Sequence, residues 1–156
     1  MELDKFIFLD IDGVLNDCQN LDNPFHDDKM LLLKKIVENT QAKIILSSTW
    51  RVPYLHYKNH TSIDGIDFSY MSIIDTTFHQ YNLAIYDCTS DLEDIRKRPQ
   101  EIIDYLSHHQ CQSFIVIDDM KLNWGQLSKH LIQTVSYYGL TKELVDKAIK
   151  LLNEKE

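Results

Sequence analysis

Five short runs dominated by apolar residues do most to limit what this chain can fold into. They are Phe6-Ile7-Phe8-Leu9, Lys43-Ile44-Ile45-Leu46, Leu83-Ala84-Ile85-Tyr86, Phe114-Ile115-Val116-Ile117 and Leu131-Ile132-Gln133-Thr134-Val135. A strand with one wet face alternates apolar and polar residues. Uninterrupted runs of this length suit strands buried on both faces, as in a parallel sheet whose crossovers cover it on each side.

The segments between the runs have helical spacing. Met30, Leu33, Ile36 and Val37 share one helical face, with Asp27 or Asp28 placed to cap its start. Pro99 can open a helix carrying Ile102, Ile103 and Leu106. Thr141 can cap a last one with Leu144, Ala148, Leu151 and Leu152 in register. Strand and helix thus alternate, which predicts right-handed crossovers and a three-layer α/β/α sandwich around a mainly parallel, Rossmann-like sheet. A chain of 156 residues fits one such domain, residues 1–156. Residues 52–82 mix His, Asn, Asp, Ser and Thr with aromatics and are read as a small irregular insert or lid, with one helix near Tyr70–Tyr81.

Charge and cysteine content narrow the partners. Sixteen basic against 24 acidic residues leave a net charge of -8, which argues against a broad nucleic-acid-binding surface; an anionic substrate needs a local positive charge. Cys18, Cys88 and Cys111 are odd in number and form no CxxC pair, so neither a disulfide framework nor a thiolate zinc site is indicated. Cys18, shortly after the first run, is read as an inert thiol rather than a redox sensor. The opening Met1-Glu2-Leu3-Asp4-Lys5 lacks a signal-peptide pattern, and no apolar run is long enough for a membrane span. A reducing, cytoplasmic setting without membrane contact is expected.

In a parallel α/β sheet, functional groups gather where strands end at their carboxyl edge. The first run ends in Asp10-Ile11-Asp12-Gly13-Val14-Leu15, the second in Ser47-Ser48-Thr49-Trp50-Arg51 and the fourth in Asp118-Asp119. Strand periodicity would point Asp10 and Asp12 the same way, although Gly13 marks a sharp turn. Carboxylates converging there would repel one another unless a cation sat among them, and oxygen-only ligands favour Mg²⁺.

These segments resemble the four motifs of the haloacid dehalogenase (HAD) superfamily of aspartate-nucleophile phosphatases. Asp10-Ile11-Asp12-Gly13-Val14-Leu15 matches the first motif, Leu46-Ser47 the second, Arg98-Pro99-Gln100-Glu101-Ile102 the third and Ile115-Val116-Ile117-Asp118-Asp119 the fourth. The resemblance implies a Mg²⁺-dependent phosphomonoester hydrolase in which Asp10 is the nucleophile and forms an aspartyl-phosphate. Asp12 would protonate the leaving oxygen and then activate water, and its presence disfavours a carbon–halogen substrate. Ser47, with Ser48 as the alternative, would hydrogen-bond the phosphoryl oxygens beside the Gly13 turn. Asp10, the Asp12 carbonyl and Asp119 would hold the metal, with Asp118 supporting them. The third motif departs from the usual Lys: either Arg98 or Lys97 would neutralise the phosphoryl charge, and Arg98 is preferred.

Ser47-Ser48-Thr49-Trp50-Arg51 and Tyr138-Gly139-Leu140-Thr141 also resemble a smaller branch, the HAD domains associated with Swiss Army Knife RNA-repair proteins. That likeness implies that Arg51 reaches a substrate phosphate. With little room for a cap, the domain is expected to be nearly capless and open to a nucleotide or a nucleic-acid terminal phosphate. A phosphoprotein or a small metabolite is the alternative substrate, and a catalytically quiet binding module of the same fold is the rival reading. An EF-hand would need further ligands and flanking helices. A receiver domain would place its acceptor Asp after the third strand. The seven histidines make no ligand spacing and are read as structural. Seven of the 14 Phe and Tyr residues lie in 52–86, either as packing or as a wall that stacks a nucleobase, and Trp124 packs or flanks the same pocket.

Overall fold

In the computed structural model, which describes residues 2–17, 19 and 22–154, each apolar run supplies a strand. The strands are β1 (Lys5–Leu9), β2 (Lys43–Leu46), β3 (Ile85–Cys88), β4 (Ser113–Asp118) and β5 (Leu131–Gln133). Among the described residues they form one sheet in the order β3-β2-β1-β4-β5, with every pairing parallel. The helices are α1 (Asp27–Thr40), α2 (Arg51–Asn59), α3 (Ser72–Gln80), α4 (Arg98–His108) and α5 (Lys142–Asn153). Cys18 lies outside the described residues. No helix among those described is long and apolar enough to cross a membrane.

Strand periodicity divides the core in two. Ile7 and Leu9 of β1 face a layer built from Met30, Leu33 and Ile36 of α1, Ile74 and Phe78 of α3, and Val145, Ala148 and Leu152 of α5. Phe6 and Phe8 point the other way, onto Ile102 and Tyr105 of α4 with Trp124 and Leu127. Both faces of β1 are therefore dry, as its unbroken apolar run requires, and the three-layer α/β/α sandwich is present. The chain winds outward from β1 through β2 to β3, then returns to the other side of β1 as β4. The carboxyl ends of β1 and β4 thus flank a topological switch point, where a crevice opens in sheets of this kind.

Local differences from the sequence reading have physical causes. The α1 N-cap is His26, so Asp27 and Asp28 sit inside the first turn, where the helix dipole favours acids. Asp27 there accepts a 2.6 Å hydrogen bond from the Tyr81 hydroxyl. Thr141 does occupy the N-cap of α5. Strand β3 lies two residues later than its apolar run because it is an edge strand with Tyr86 exposed, which tolerates Asp87. The segment 52–82 contains α2 as well as α3, rather than one helix. Pro53 stands in the first turn of α2, where its missing N–H has no intrahelical partner to lose. Strand β5 ends at Gln133, and the next residue, Thr134, donates its hydroxyl to the Gly13 carbonyl at 2.7 Å.

Leu33 is fully buried beneath α1, and truncation there leaves a hole the surrounding helices cannot close. Leu33→Ala is expected to lower unfolding stability by about 2–5 kcal/mol, read as a lower denaturant midpoint at unchanged slope.

Candidate active site

The parallel ladders run one residue past each central strand and carry the polar groups to a common edge. Asp10 N–H donates to the Ile117 carbonyl at 3.0 Å, Ser47 N–H to the Leu9 carbonyl at 2.8 Å and Thr134 N–H to the Asp118 carbonyl at 3.1 Å. Immediately after Asp10 the backbone turns: Val14 and Leu15 N–H groups donate to the Ile11 carbonyl, and Gly13 adopts a φ of 77°. A Cβ on Gly13 would lie 2.2 Å from Asp119 Oδ2, so only glycine lets the Asp119 carboxylate press against this turn.

Oxygens of Asp10, Asp118 and Asp119 lie within 4.8 Å of one another. Arg98, at the start of α4, reaches under them: its Nη1 is 2.8 Å from Asp118 Oδ2 and 3.3 Å from Asp10 Oδ2. Arg98 is 3% exposed, Asp10 5% and Asp118 0%, so these charges are essentially dry. Burial first, then the neighbouring Asp118 charge, pushes Asp10 well above the ordinary carboxylate range, against the pull of Arg98. Burial also raises Asp118, again opposed by Arg98. Burial pulls Arg98 down, but Asp118 and Asp10 outweigh it and leave the guanidinium firmly charged.

Asp12 ends up in a different environment from Asp10 despite the two-residue spacing. The Gly13 turn swings it to the exposed rim, where Oδ1 accepts from Asn16 Nδ2 at 3.1 Å and Oδ2 from Trp50 Nε1 at 3.0 Å. Ser47 is buried, and its hydroxyl has no hydrogen-bond partner among the described residues. The Ser48 hydroxyl accepts from Trp50 N–H at 3.2 Å. Of the two candidate cations, Arg98 lies among the carboxylates, whereas Lys97 is exposed.

Arg51, expected to reach a substrate phosphate, has protein partners for Nη1 and Nη2, while its buried Nε has none among the described residues. Its Nη1 donates to the Ser48 carbonyl and its Nη2 to Glu101 Oε2, each at 2.6 Å, and it is 4% exposed. Glu101, one turn beyond Arg98 on α4, also accepts from Leu92 N–H at 2.8 Å. Arg51 is thus a clamp that fixes the turn after β2 to the helix carrying Arg98.

Sequence reasoning passed over Asn16, Trp50, Thr89, Glu101 and Thr134. Asn16 closes the Asp12 loop, its Oδ1 accepting from Gly13 N–H at 3.0 Å. Thr89 follows β3, and its buried hydroxyl, like that of Ser47, lacks a partner among the described residues. Glu101 lay inside the third motif and was legible as a helical neighbour of Arg98. Thr134 carried no local signal, because its role exists only once β5 lies beside β4.

The other groups singled out take packing roles. Trp124 is buried in the core with Phe6 and Phe8, and its indole N–H donates to the Met120 carbonyl at 3.0 Å. His56, His109 and His130 stack on Phe68, Tyr105 and Phe114. Cys88 is driven by burial to a pKa of about 12, which leaves it an unreactive thiol at neutral pH. Within 52–86, Tyr54 and Phe78 are core residues, whereas Tyr70 and Tyr86 are exposed.

Asp118 already spends both oxygens on protein donors, Oδ2 on Arg98 and Oδ1 on Met120 N–H at 2.9 Å. Asp10 accepts from Ile11 N–H at 2.9 Å through Oδ1 and has Oδ2 3.3 Å from Arg98, while the Asp119 carboxylate lies against the Gly13 turn. Such an all-oxygen, net anionic set fits a hard divalent cation such as Mg²⁺.

A family model described as the HAD domain in Swiss Army Knife RNA repair proteins matches residues 6–145. Neither a curated protein nor a solved structure matches the chain.

Removing Glu101 takes from the buried Arg51 guanidinium its close, hydrogen-bonded counter-charge and leaves only the half-exposed Asp91 at 3.6 Å. Glu101→Ala is therefore expected to cost about 3–5 kcal/mol of unfolding free energy in a urea titration. A second outcome concerns pH. Because Asp10 and Asp118 are raised in the fold, the stability they contribute is present below the unfolded carboxylate value and is lost as pH rises through their raised folded values. A cation bound to the ionised carboxylates opposes that loss. Millimolar Mg²⁺ is expected to raise Tm more at about pH 8 than at about pH 5, and an equal or absent shift in paired thermal melts would contradict this account.

Proposed function

The chain belongs to the family of HAD domains found in Swiss Army Knife RNA repair proteins, and from that premise we propose that it is a Mg²⁺-dependent phosphomonoester hydrolase. The observation that carries the reading is the convergence of Asp10, Asp118 and Asp119 around Arg98, beside the unpartnered Ser47 hydroxyl. A purely structural cluster has no use for a buried hydroxyl without a partner or for a third carboxylate against a glycine turn.

In this reading Asp10 attacks the phosphorus, and the bond from phosphorus to the leaving oxygen breaks as the Asp10–phosphorus bond forms. Asp12, exposed at the rim, gives its proton to the departing alkoxide. It then takes a proton from water, whose oxygen attacks the aspartyl-phosphate, releasing inorganic phosphate and the free Asp10 carboxylate. Ser47 donates to a phosphoryl oxygen. Arg98 orients Asp10 and offsets the charge gathering at the nucleophile. Mg²⁺, held by Asp10, the Asp12 carbonyl and Asp119 with Asp118 in support, would neutralise carboxylate and phosphoryl charge so that the two anions can approach. The leading substrate class is a nucleotide or a nucleic-acid terminal phosphate.

Phosphate release from p-nitrophenyl phosphate is expected to require Mg²⁺ and to fall by at least about 10³-fold in Asp10→Asn. Activity that survives Asp10→Asn would overturn Asp10 as the nucleophile, whereas no activity at all would favour a quiet binding module. A panel of mononucleotides against 3′- and 5′-phosphorylated oligonucleotides, a phosphopeptide and a sugar phosphate ranks the substrate classes.

A further inference from the structure

Beside Asp12 lies a hollow of about 300 Å³ that the steps above do not use. It is lined by Thr49, Trp50, Pro53, Tyr70 and Met71. Its walls are two aromatic rings, a proline and a thioether, a surface suited to flat apolar groups. Tyr70 is 61% exposed, so its ring is not committed to the core. Trp50 is half-buried against the core, where it makes an edge contact with Phe25 at 5.9 Å between centroids. It also joins the hollow to the chemistry, because its Nε1–H holds Asp12 Oδ2 at 3.0 Å.

The position is informative. On the proposed reading, Asp12 protonates the leaving oxygen, so the rest of the leaving group departs on the side of Asp12 and therefore towards Trp50. The phosphoryl side is occupied by charged and hydroxyl groups: Asp10, Ser47, Arg98 and Asp119. The leaving-group side offers rings and no cation: the lining residues are all uncharged, and the nearby Arg51 is buried against Glu101. A second phosphate would find no cation in this wall, only the Thr49 hydroxyl, whereas a planar ring would stack on it.

We propose that this hollow is the leaving-group subsite and that it takes the nucleobase of a phosphorylated nucleoside, with Trp50 as the positioning residue that ties base recognition to the Asp12 acid. The proposal rests on the hydrolase reading but is separable from it, because base recognition can be read as binding. Uniform tolerance of any phosphomonoester would need no such wall.

The test titrates intrinsic tryptophan fluorescence, in Mg²⁺, with adenosine 3′- and 5′-monophosphates and with the matching ribose phosphates that lack the base. Wild-type protein is expected to bind at least one nucleotide about tenfold more tightly than its base-free counterpart. Tyr70→Ala, at an exposed site where folding is not at risk, is expected to abolish most of that preference. Tyr86→Ala, an exposed aromatic outside the hollow, leaves it unchanged. Trp50→Phe keeps a ring and removes the N–H; among turned-over esters it is expected to slow those with poor, alkyl-type leaving groups more than p-nitrophenyl phosphate, which needs little acid assistance. Equal affinity for nucleotide and ribose phosphate, or a preference untouched by Tyr70→Ala, overturns the proposal. Base-dependent binding without any phosphate release would uphold the subsite and sink the hydrolase reading instead.

Discussion

The guanidinium of Arg98, held between Asp10 and Asp118 in a dry crevice, is the contact on which the rest of this edge depends. Two carboxylates at the ends of adjacent parallel strands cannot both be ionised out of water without a cation between them. The fold brings that cation from a third element, the first turn of α4, and Pro99 sets the helix to begin there. Arg98 can do this only if α4 is fixed against the sheet. The Arg51–Glu101 pair does so one helical turn further on, at 2.6 Å and 4% and 2% exposure. Two buried ion pairs, one facing the crevice and one behind it, thus fix where α4 starts.

The charge count at the crevice explains why the cluster is unfinished by itself. Asp10, Asp118 and Asp119 bring three negative charges and Arg98 one positive, a net of 1 − 3 = −2 when all are ionised. Alone, the fold answers that excess by holding Asp10 and Asp118 high on the pH scale. A divalent ion offsets it in full. Part of the acidic net charge of -8 is concentrated in this one cluster.

How much of this was legible in the sequence depends on whether a residue's role is local. Apolar runs buried on both faces announce themselves, so the sheet and its layers were readable from Phe6–Leu9, Lys43–Leu46 and Phe114–Ile117. The polar residues after those runs were readable too, because a strand end is defined by the strand. Helix α2 was missed because Pro53 and a string of aromatic and histidine residues look like loop, although a proline in the first turn breaks nothing. The pairing of Arg51 with Glu101 was missed for a different reason. A basic residue near a phosphate motif suggests a ligand contact, and only tertiary packing reveals that Glu101 lies within reach. Trp50 and Thr134 act across 38 and 121 residues of chain, through Asp12 and the Gly13 carbonyl, distances no pattern of neighbours encodes.

The contrast between Asp10 and Asp12 shows how little sequence distance is needed to separate two carboxylates chemically. Residues two apart on a continuing strand would share one face and one environment. The positive φ at Gly13 and the backbone bonds back to Ile11 break that symmetry within a single turn, leaving Asp10 buried beside Arg98 and Asp12 at the rim between two neutral N–H donors. The difference in environment therefore follows from the turn, and the turn follows from the glycine: a side chain there would displace Asp119 as well as strain the backbone. One residue without a side chain thereby decides the placement of three carboxylates.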